Sequence, residues 1–475
     1  MPTEDKLLME LEACRECDVC RALMEDSSCL VFNKMYQLFD KESETKEKIT
    51  TEELQNLVEL CNFCAICPCW DIRAAILEAK TGFKERYGLN YRIRLLENVE
   101  RIGKLGGMLP WLSNLLLQNS ATGGLMKKVT GIHEERKIPK FPEHGFQEWA
   151  EERKLYAKSA TKERRRVAYF AGCTGSYFFP DIPKAVIAVL QKNDIEVYLP
   201  EQRCCGMPSF LEGDRRLTLE FAKFNVERLS EVVEDGDDIV CSCPTCGYML
   251  KCLIREGAVY SDDYQASVGD DIYADMTEDF LSINPDQKPP ARLRQLPDIH
   301  MYKLLKDDQY FSSISGLKRL MVADNTYDLG EYLRNLHVNG DLNREFGKIA
   351  AKTGYYPPCH LREQNIGRPY ADLLSLIPGI SVESIQGNFH CCGNAGIMGF
   401  KSDFHRHSVK IGSRLKAKIR QIDPERLLTD CLSCRMQFNQ ITTYAVSHPI
   451  EIIKEAYEAF TKPTAEAQQN PPTPT

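Results

Sequence analysis

Cysteine is the residue type in this sequence whose number and spacing point to chemistry. The chain of 475 residues contains 20 cysteines, which fall into three regions, Cys14 to Cys69, Cys173 to Cys252 and Cys359 to Cys434. Short secreted scaffolds use disulfides in place of a core, whereas a chain of this length buries a core without them. Thiolates are also strong ligands of iron and zinc. We therefore expect the cysteines to bind metal in a reducing compartment.

The first region contains two runs of cysteines at steps of three residues, one starting at Cys14 and the other at Cys61. Three thiolates at this spacing, with a fourth from the other run, hold a cubane [4Fe–4S] cluster in two-cluster ferredoxins. A single cluster is one alternative, and zinc, which prefers separated cysteine pairs, is another. The predicted ligands of two cubanes are Cys14, Cys17, Cys20, Cys29, Cys61, Cys64, Cys67 and Cys69.

The fourth ligand of each predicted cubane departs from the usual spacing of three residues. Eight residues separate Cys20 from Cys29, and one residue separates Cys67 from Cys69. If ligation crosses between the two runs, Cys69 completes the first site and Cys29 completes the second. The alternative for Cys29 is an ordinary buried thiol, since free cysteine is among the most buried residue types.

The other two regions repeat one pattern of five cysteines: a single cysteine, an adjacent pair followed by glycine, and a pair separated by two residues. Corresponding cysteines lie from 186 to 188 residues apart, which indicates a duplicated module of fixed geometry. Gly206 and Gly393 supply backbone freedom, so that both adjacent side chains face one site. The predicted ligands are Cys173, Cys204, Cys205, Cys243 and Cys246 in the first copy, and Cys359, Cys391, Cys392, Cys431 and Cys434 in the second.

Five thiolates exceed the four that a cubane requires, so the repeat predicts an unusual cluster. The alternative is that one copy is purely structural. Cys241 and Cys252 match nothing in the second copy and are expected to be core thiols or neighbours of the ligands. His360 and His390 flank second-copy cysteines, and each is either a hydrogen-bond or proton donor to cluster sulfur or a structural histidine. We assign no catalytic residue from the sequence.

Strands and helices alternate around the repeated cysteines, which predicts βαβ units in a parallel sheet with the cysteines in loops after the strands. A helix at 51–60 leads directly into Cys61. The predicted strands are 167–170, 195–199, 239–240, 380–384 and 426–429, and the predicted module helices are 183–192, 214–233 and 403–422.

Charge and hydropathy exclude two classes of function. The formal net charge of −8 lacks the basic excess of a nucleic-acid binder, so no nucleic-acid partner is expected. No run of 18 apolar residues occurs, and the N-terminus lacks a secretion signal. The apolar stretch 105–117 is expected to form a packed helix or to dock on a membrane subunit or bilayer surface. We therefore expect a cytoplasmic protein, peripheral on the inner face of the cell membrane if that stretch docks there.

The five-cysteine pattern resembles the CCG module of heterodisulfide reductases and their relatives, in which five cysteines bind a noncubane [4Fe–4S] cluster. Two ferredoxin motifs followed by two such modules resemble the D subunits of heterodisulfide reductases and, more closely, the iron–sulfur C subunits of anaerobic glycerol-3-phosphate dehydrogenases. Some such C subunits have an incomplete first module, whereas Cys243 and Cys246 complete it here. The stretches that carry the closer resemblance are 131–141, 167–173, 328–333, 358–360 and 429–431.

The resemblance implies an electron-transfer subunit with two cubane clusters and one or two noncubane [4Fe–4S] clusters. Such a subunit passes electrons between a flavoprotein dehydrogenase, acting on glycerol 3-phosphate or another hydroxy acid, and a quinone or membrane cytochrome. The alternative is a heterodisulfide reductase-like enzyme that reduces a disulfide or thiol at a noncubane cluster. A third interpretation, a zinc-stapled interaction scaffold, is disfavoured by the steps of three.

The predicted fold class is α+β multidomain: an N-terminal helical two-cluster ferredoxin followed by two duplicated α/β CCG modules. The length favours about three domains. The acidic and proline-rich composition of 259–320 predicts an irregular connection. The predicted domains are a helical ferredoxin-like domain at 1–100, a linker and helical segment at 101–165, the first module at 166–258, the connection at 259–320, the second module at 321–460 and a disordered tail at 461–475.

Overall fold

The computed structural model describes most of the chain as helices followed by two parallel sheets. Most of the predicted connection 259–320, and all of the predicted tail after residue 461, lie outside the described residues. The described ends of the connection contain helical turns rather than the irregular chain that we expected. The described residues are 3–17, 19–25, 29–64, 67, 69–159, 164–268, 309–385 and 390–461.

Amphipathic helices surround the first cysteine region. Apolar residues at helical spacing bury one face of Leu30–Thr45. The helix predicted at 51–60 is confirmed and begins at a capping box, in which Thr50 and Glu53 bond each other's backbone N–H groups. The helices of this part are Thr3–Cys17, Val19–Glu25, Leu30–Thr45, Thr51–Val58, Trp70–Tyr87 and Tyr91–Glu97.

The next segment contains the helices Val99–Met108, Pro110–Gln118, Ser120–Thr130 and Phe146–Glu152. The apolar stretch 105–117 is not one packed helix, because Pro110 has no N–H to continue a helix and starts a new one. No helix in the described part of the chain is long and apolar enough to cross a membrane. The exposed apolar side chains of this stretch are Leu105, Met108, Leu109, Trp111 and Leu115.

The first sheet is parallel with the strand order β2-β1-β3-β4. It confirms the three strands predicted in the first module. The fourth strand lies beyond residue 321, so the predicted start of the second module does not follow the sheets. The strands are β1 (Arg166–Phe170), β2 (Glu196–Tyr198), β3 (Asp238–Cys241) and β4 (Thr326–Asp328).

The second sheet repeats this topology, with the parallel order β6-β5-β7-β8. Both predicted strands and the predicted long helix are present. Apolar residues of both sheets belong to one core, and helix Asp181–Lys192 of the first module packs against helix Pro449–Thr461 of the second. The strands are β5 (Ala351–Tyr355), β6 (Ile380–Ser384), β7 (Arg426–Leu428) and β8 (Ala445–Ser447).

Helices connect the strands of both sheets. Those that follow β1 to β3 include Gly172–Phe178, Asp181–Lys192, Met207–Glu212, Arg215–Glu234, Pro244–Tyr248 with its π-helical extension Met249–Leu253, Asp262–Val268 and Gly316–Asp324. The later ones are Leu329–Asn339, Cys359–Arg362, Pro369–Leu374, His405–Ile422, Leu432–Ile441 and Pro449–Thr461. Short 3-10 turns lie at Ala258–Tyr260, Gln309–Phe311 and Met398–Phe400.

Candidate metal centres

The repeated cysteines follow the carboxyl ends of three strands in each sheet. The strand order reverses between β1 and β3, and parallel sheets hold ligands in the crevice at such a point. The first five-cysteine site contains Cys173 after β1, Cys204 and Cys205 after β2, and Cys243 and Cys246 after β3. The second five-cysteine site contains Cys359, Cys391, Cys392, Cys431 and Cys434 in the matching places.

Glycines allow the close approach of backbone to sulfur at these sites. Gly206 and Gly393 have φ of 89° and 91°, in the left-handed region, and thereby supply the backbone freedom that we predicted for them. We expected Cys173 to lie in a loop. It lies instead in the first turn of helix Gly172–Phe178. A Cβ atom on Gly172 would lie 2.9 Å from the sulfur of Cys246, so glycine lets this helix start beside the site.

The thiols of the first five-cysteine site lie in direct contact. The sulfurs of Cys173 and Cys204 are 3.2 Å apart, and hydrogen bonding to Cys204 together with burial raises the pKa of Cys173 well above its usual range. Cys246 contacts both Cys205 and Cys243. All five side chains of this first set therefore converge on one buried place.

The second five-cysteine site has the same arrangement. The sulfurs of Cys392 and Cys434 are 3.2 Å apart. Cys391 contacts Cys359 and Cys392, and its hydrogen bond lowers the pKa of Cys359 to about 6. The two sites therefore match in their contacts as well as in their sequence spacing.

A duplicated tyrosine supports the residue before each closing cysteine pair. Tyr169 on β1 shares a hydrogen bond of 2.7 Å with the hydroxyl of Ser242, which precedes Cys243. On β5, Tyr355 donates a hydrogen bond of 3.3 Å to a carboxylate oxygen of Asp430, which precedes Cys431. Each central strand thus orients the loop that carries two of the five thiols.

The donor sets of both sites fit an iron–sulfur cluster. The ten thiols are free of disulfides, and nine of them are buried. Crowded buried thiolates repel one another unless a positive charge lies among them, and iron supplies that charge. Each site also offers more thiolates than the four that tetrahedral zinc takes.

Two segments of the chain, 167–251 and 353–439, match the cysteine-rich domain CCG. The chain contains two CCG domains. Each match spans one complete five-cysteine site, so the predicted resemblance to CCG proteins is confirmed.

Relatives of the chain include subunits of a dehydrogenase and of a reductase. The chain is 24% identical over 334 residues to the C subunit of anaerobic glycerol-3-phosphate dehydrogenase of Escherichia coli K12, a match that covers 70% of this chain and 68% of that protein. It is 23% identical to the B subunit of fumarate reductase (CoM/CoB) of Methanothermobacter marburgensis, over 57% of this chain and 41% of that one. Lactate utilization protein A 2 of Bacillus cereus is 23% identical, over 50% and 74%. Together with the CCG domains, these similarities identify an iron–sulfur, metal-binding oxidoreductase protein of electron transport.

The eight N-terminal cysteines form two groups, and the structure brings them together in the crossed pattern. The outer N-terminal group contains Cys69 beside Cys14, Cys17 and Cys20. The inner N-terminal group contains Cys29, which lines a small cavity together with Cys61, Cys64 and Cys67. Burial raises the pKa of Cys29 to about 12 and that of Cys61 to about 11. Which thiols hold a cluster, and of what type, stays a prediction.

Three of the four cysteine groups follow one another through the molecule. Cys17 and Cys69 of the outer group are exposed, whereas the inner group borders the second CCG domain, where Cys64 contacts Cys391. At the other end of that domain, Cys431 contacts Cys243 of the first five-cysteine site. These contacts give the order inner group, second site, first site, and the outer group packs against the same apolar core as the inner group.

A cavity of about 470 Å³ lies between the two CCG domains and is lined by cysteines of both five-cysteine sites. Its remaining lining is mostly apolar and includes residues of the helices Val99–Met108 and Pro110–Gln118. At its wall the hydroxyl of Thr245 lies 3.0 Å from Nδ1 of His360 and 3.7 Å from the sulfur of Cys431. His360 also stacks on Tyr248, with ring centroids 5.1 Å apart.

Sequence reasoning did not single out several residues of the sites. Thr245 lies between the two cysteines of a Cys-x-x-Cys motif, and this position was the sequence signal that could have pointed to it. Its contact with the other CCG domain cannot be inferred from the sequence. Tyr169 and Tyr355 share the duplication register and could have been found by that register. Cys241 is fully buried at the end of β3 and Cys252 is half-buried. His390 is half-buried, and its carbonyl accepts a hydrogen bond from Tyr356.

Proposed function

We propose that the chain is an electron-transfer subunit that carries two cubane and two noncubane [4Fe–4S] clusters. The cubanes occupy the outer and inner N-terminal groups, and the noncubane clusters occupy the two five-cysteine sites. The observation that carries this proposal is the contact between successive thiol groups, in which Cys64 of the inner group contacts Cys391 and Cys431 contacts Cys243. Bound clusters of this kind accept and release single electrons.

The protein's own task is to keep the clusters close together and to bury the inner group and the two five-cysteine sites. The inner group packs in the apolar core of the N-terminal helices, and the five-cysteine sites lie under buried strands and helices. Exposed Cys17 and Cys69 make the outer group the entry or exit point that a partner protein can approach. Burial and backbone hydrogen bonds such as that from Gly393 N–H to Cys391 Sγ, 3.3 Å, set the potentials of the inner sites.

The proposed donor is a flavoprotein dehydrogenase that oxidises glycerol 3-phosphate or another hydroxy acid, and the proposed acceptor is a quinone or membrane cytochrome. The names of two relatives support a role as one subunit of a larger oxidoreductase. The exposed apolar side chains around Trp111 support a peripheral position at the inner face of the cell membrane.

A second candidate function is disulfide or thiol reduction. The cavity between the CCG domains favours it, because thiols of both five-cysteine sites border one space large enough for a small organic molecule. In that role Thr245 and His360 would hold a hydrogen-bonded path to the sulfur of Cys431. Electrons would then leave the chain inside the cavity and not at a protein partner.

Iron content and metal identity test the proposal directly. Anaerobically purified protein should contain about 16 iron atoms per chain if four [4Fe–4S] clusters are bound. The single variants Cys64→Ser and Cys434→Ala should each remove the signal of one site in electron paramagnetic resonance (EPR) spectra. A colourless, zinc-loaded protein would contradict both candidate functions.

The electron acceptor separates the two candidates. We would reduce the anaerobic protein and mix it in a stopped-flow instrument with either a water-soluble quinone or a small disulfide. Rapid oxidation by the quinone supports the electron-transfer subunit, and rapid oxidation by the disulfide alone supports the reductase. Purification of the native complex identifies the donor, and a complex that contains no flavoprotein would contradict the proposed donor.

A further inference from the structure

Arg136 is a fully buried arginine beside the second five-cysteine site. Its exposed surface is 0%, and its guanidinium lies 4.2 Å from the ring centre of Phe400. Two amide oxygens accept its hydrogen bonds, Gln437 Oε1 at 2.6 Å and Asn394 Oδ1 at 2.7 Å. Asn394 directly follows the Cys-Cys-Gly sequence, and Gln437 lies one turn after Cys434.

A clamped segment delivers Arg136 to this place. Residues 131–133 bond the backbone of 400–402, through His133 N–H to the carbonyl of Phe400 and Ser402 N–H to the carbonyl of Gly131. His133 stacks on buried His405 at a centroid distance of 4.3 Å. The linker before the first CCG domain is thereby fastened to the second one.

The amide partners are oriented so that they must accept from Arg136. The side-chain NH₂ of Gln437 donates to both the carbonyl and the hydroxyl of Ser408, which turns its oxygen toward the guanidinium. The NH₂ of Asn394 donates to the carbonyl of Gly396. Both amide oxygens are therefore held facing the position of the guanidinium.

Neutral amides do not neutralise the charge of Arg136. Among the described residues it forms no ion pair with a carboxylate, and its Nε has no hydrogen-bond partner. A buried cation without a counter-ion is costly. A thiolate at Cys392, two residues before the hydrogen-bond acceptor Asn394, is a negative group that acts on this charge.

The first five-cysteine site lacks this device. The duplication places Met207 where the second copy has Asn394, and Met249 where it has Gln437. Both methionines are buried. The two CCG domains therefore share their thiol ligands but differ in the charge of their surroundings.

We propose that Arg136 is a positioning residue that compensates the charge of the second five-cysteine site and raises the reduction potential of the cluster bound there. This inference rests on the proposed function, because it requires a cluster at that site. A fixed positive charge stabilises the reduced, more negative state of a cluster, so the second site accepts electrons more readily than it would without Arg136.

Potentiometric titration of the anaerobic holoprotein, followed by EPR, tests the inference. The signal of the second site is identified as the one that Cys434→Ala abolishes. In Arg136→Gln the reduced-to-oxidised ratio of that signal at fixed potential should fall by about tenfold, equal to 59 mV for a one-electron couple. The other signals should stay unchanged, and Arg136→Lys should keep most of the wild-type potential because it keeps the charge.

Two further variants separate charge from folding. Lys137→Gln removes the neighbouring exposed charge and should shift no potential. Gln437→Glu places a carboxylate on the guanidinium and neutralises its charge, so it should move the same signal in the same direction as Arg136→Gln, whether or not Arg136→Gln folds. The inference would be overturned if a folded variant that removes or neutralises the charge of Arg136 kept the wild-type potential. Equal shifts in Arg136→Lys and Arg136→Gln would also overturn it. If the second site binds no iron at all, the proposed function fails first.

Discussion

Glu97 is a buried carboxyl whose substitution by glutamine should stabilise the protein above neutral pH. It ends helix Tyr91–Glu97 with 1% exposed surface, and its carboxyl lies within hydrogen-bonding reach of the carboxylate of Asp214. Burial, followed by the nearby carboxylate of Asp214, raises the pKa of Glu97 to about 9. At neutral pH the folded protein therefore holds Glu97 protonated, whereas the unfolded chain releases that proton.

The sign and size of the effect follow from this difference. The stability contributed by protonated Glu97 is complete below a pH of about 4.5 and is lost as the pH rises toward 9. Each pH unit in this range costs about 1.4 kcal/mol, so the wild type should lose about 3 kcal/mol from this group between pH 6 and pH 8. Glu97→Gln replaces the protonated carboxyl by an uncharged amide of the same size, which does not titrate.

Guanidinium denaturation of holoprotein under anaerobic conditions at pH 6, 7 and 8, followed by circular dichroism, measures the difference. The free-energy gap between variant and wild type should widen with pH in favour of the variant. Glu52→Gln, at an exposed carboxylate of helix Thr51–Val58, is the matched control and should run parallel to the wild type. Parallel curves for Glu97→Gln as well would refute the reasoning about its burial.

Three other predictions concern the sites. In an iron assay Gly393→Ala should lose the iron of the second five-cysteine site, because the φ of Gly393 is 91° and a Cβ there would lie 2.3 Å from the carbonyl oxygen of Ser408. Gly206→Ala should lose less iron, because the nearest atom to its Cβ, the carbonyl oxygen of Thr218, lies at 3.5 Å. Lys401→Met should lower the free energy of unfolding by about 1–3 kcal/mol in denaturation experiments, because buried Glu212 loses the nearer of its two cations and keeps Lys80 at 3.8 Å. Tyr169→Phe should cost about 1–2 kcal/mol, since Ser242 then loses its buried partner.

Local patterns predicted the parts of the fold that local forces determine. The strand at 380–384 and the helix capped by Thr50 follow from residue types a few positions apart. The parallel pairing of the strands and the cysteine positions at the strand ends followed from the alternation of elements and from the duplication. Sequence reasoning also placed Cys29 and Cys69 in the crossed groups in which the structure brings them together.

The remaining features depend on contacts between distant segments. The hydrogen bonds of Arg136 join residues 258 and 301 positions apart, and no local pattern announces such pairs. For the stretch around Trp111 both a packed helix and docking on a membrane subunit or bilayer surface were expected, because apolar composition alone does not say which face finds a partner. The helical position of Cys173 also depends on a distant segment. Glycine at 172 leaves room for the sulfur of Cys246, which follows a different strand.

The shared core has a consequence for how the two CCG domains can work together. The helix Asp181–Lys192 packs against Pro449–Thr461, and buried His448 of the second domain donates a hydrogen bond of 3.0 Å to the carbonyl of Ser242 in the first. Separating the domains would expose this core and break that bond. The spacing between the two five-cysteine sites is therefore held by packing and not by a hinge. A molecule that reaches both sites must fit the cavity between them, whose width the core determines.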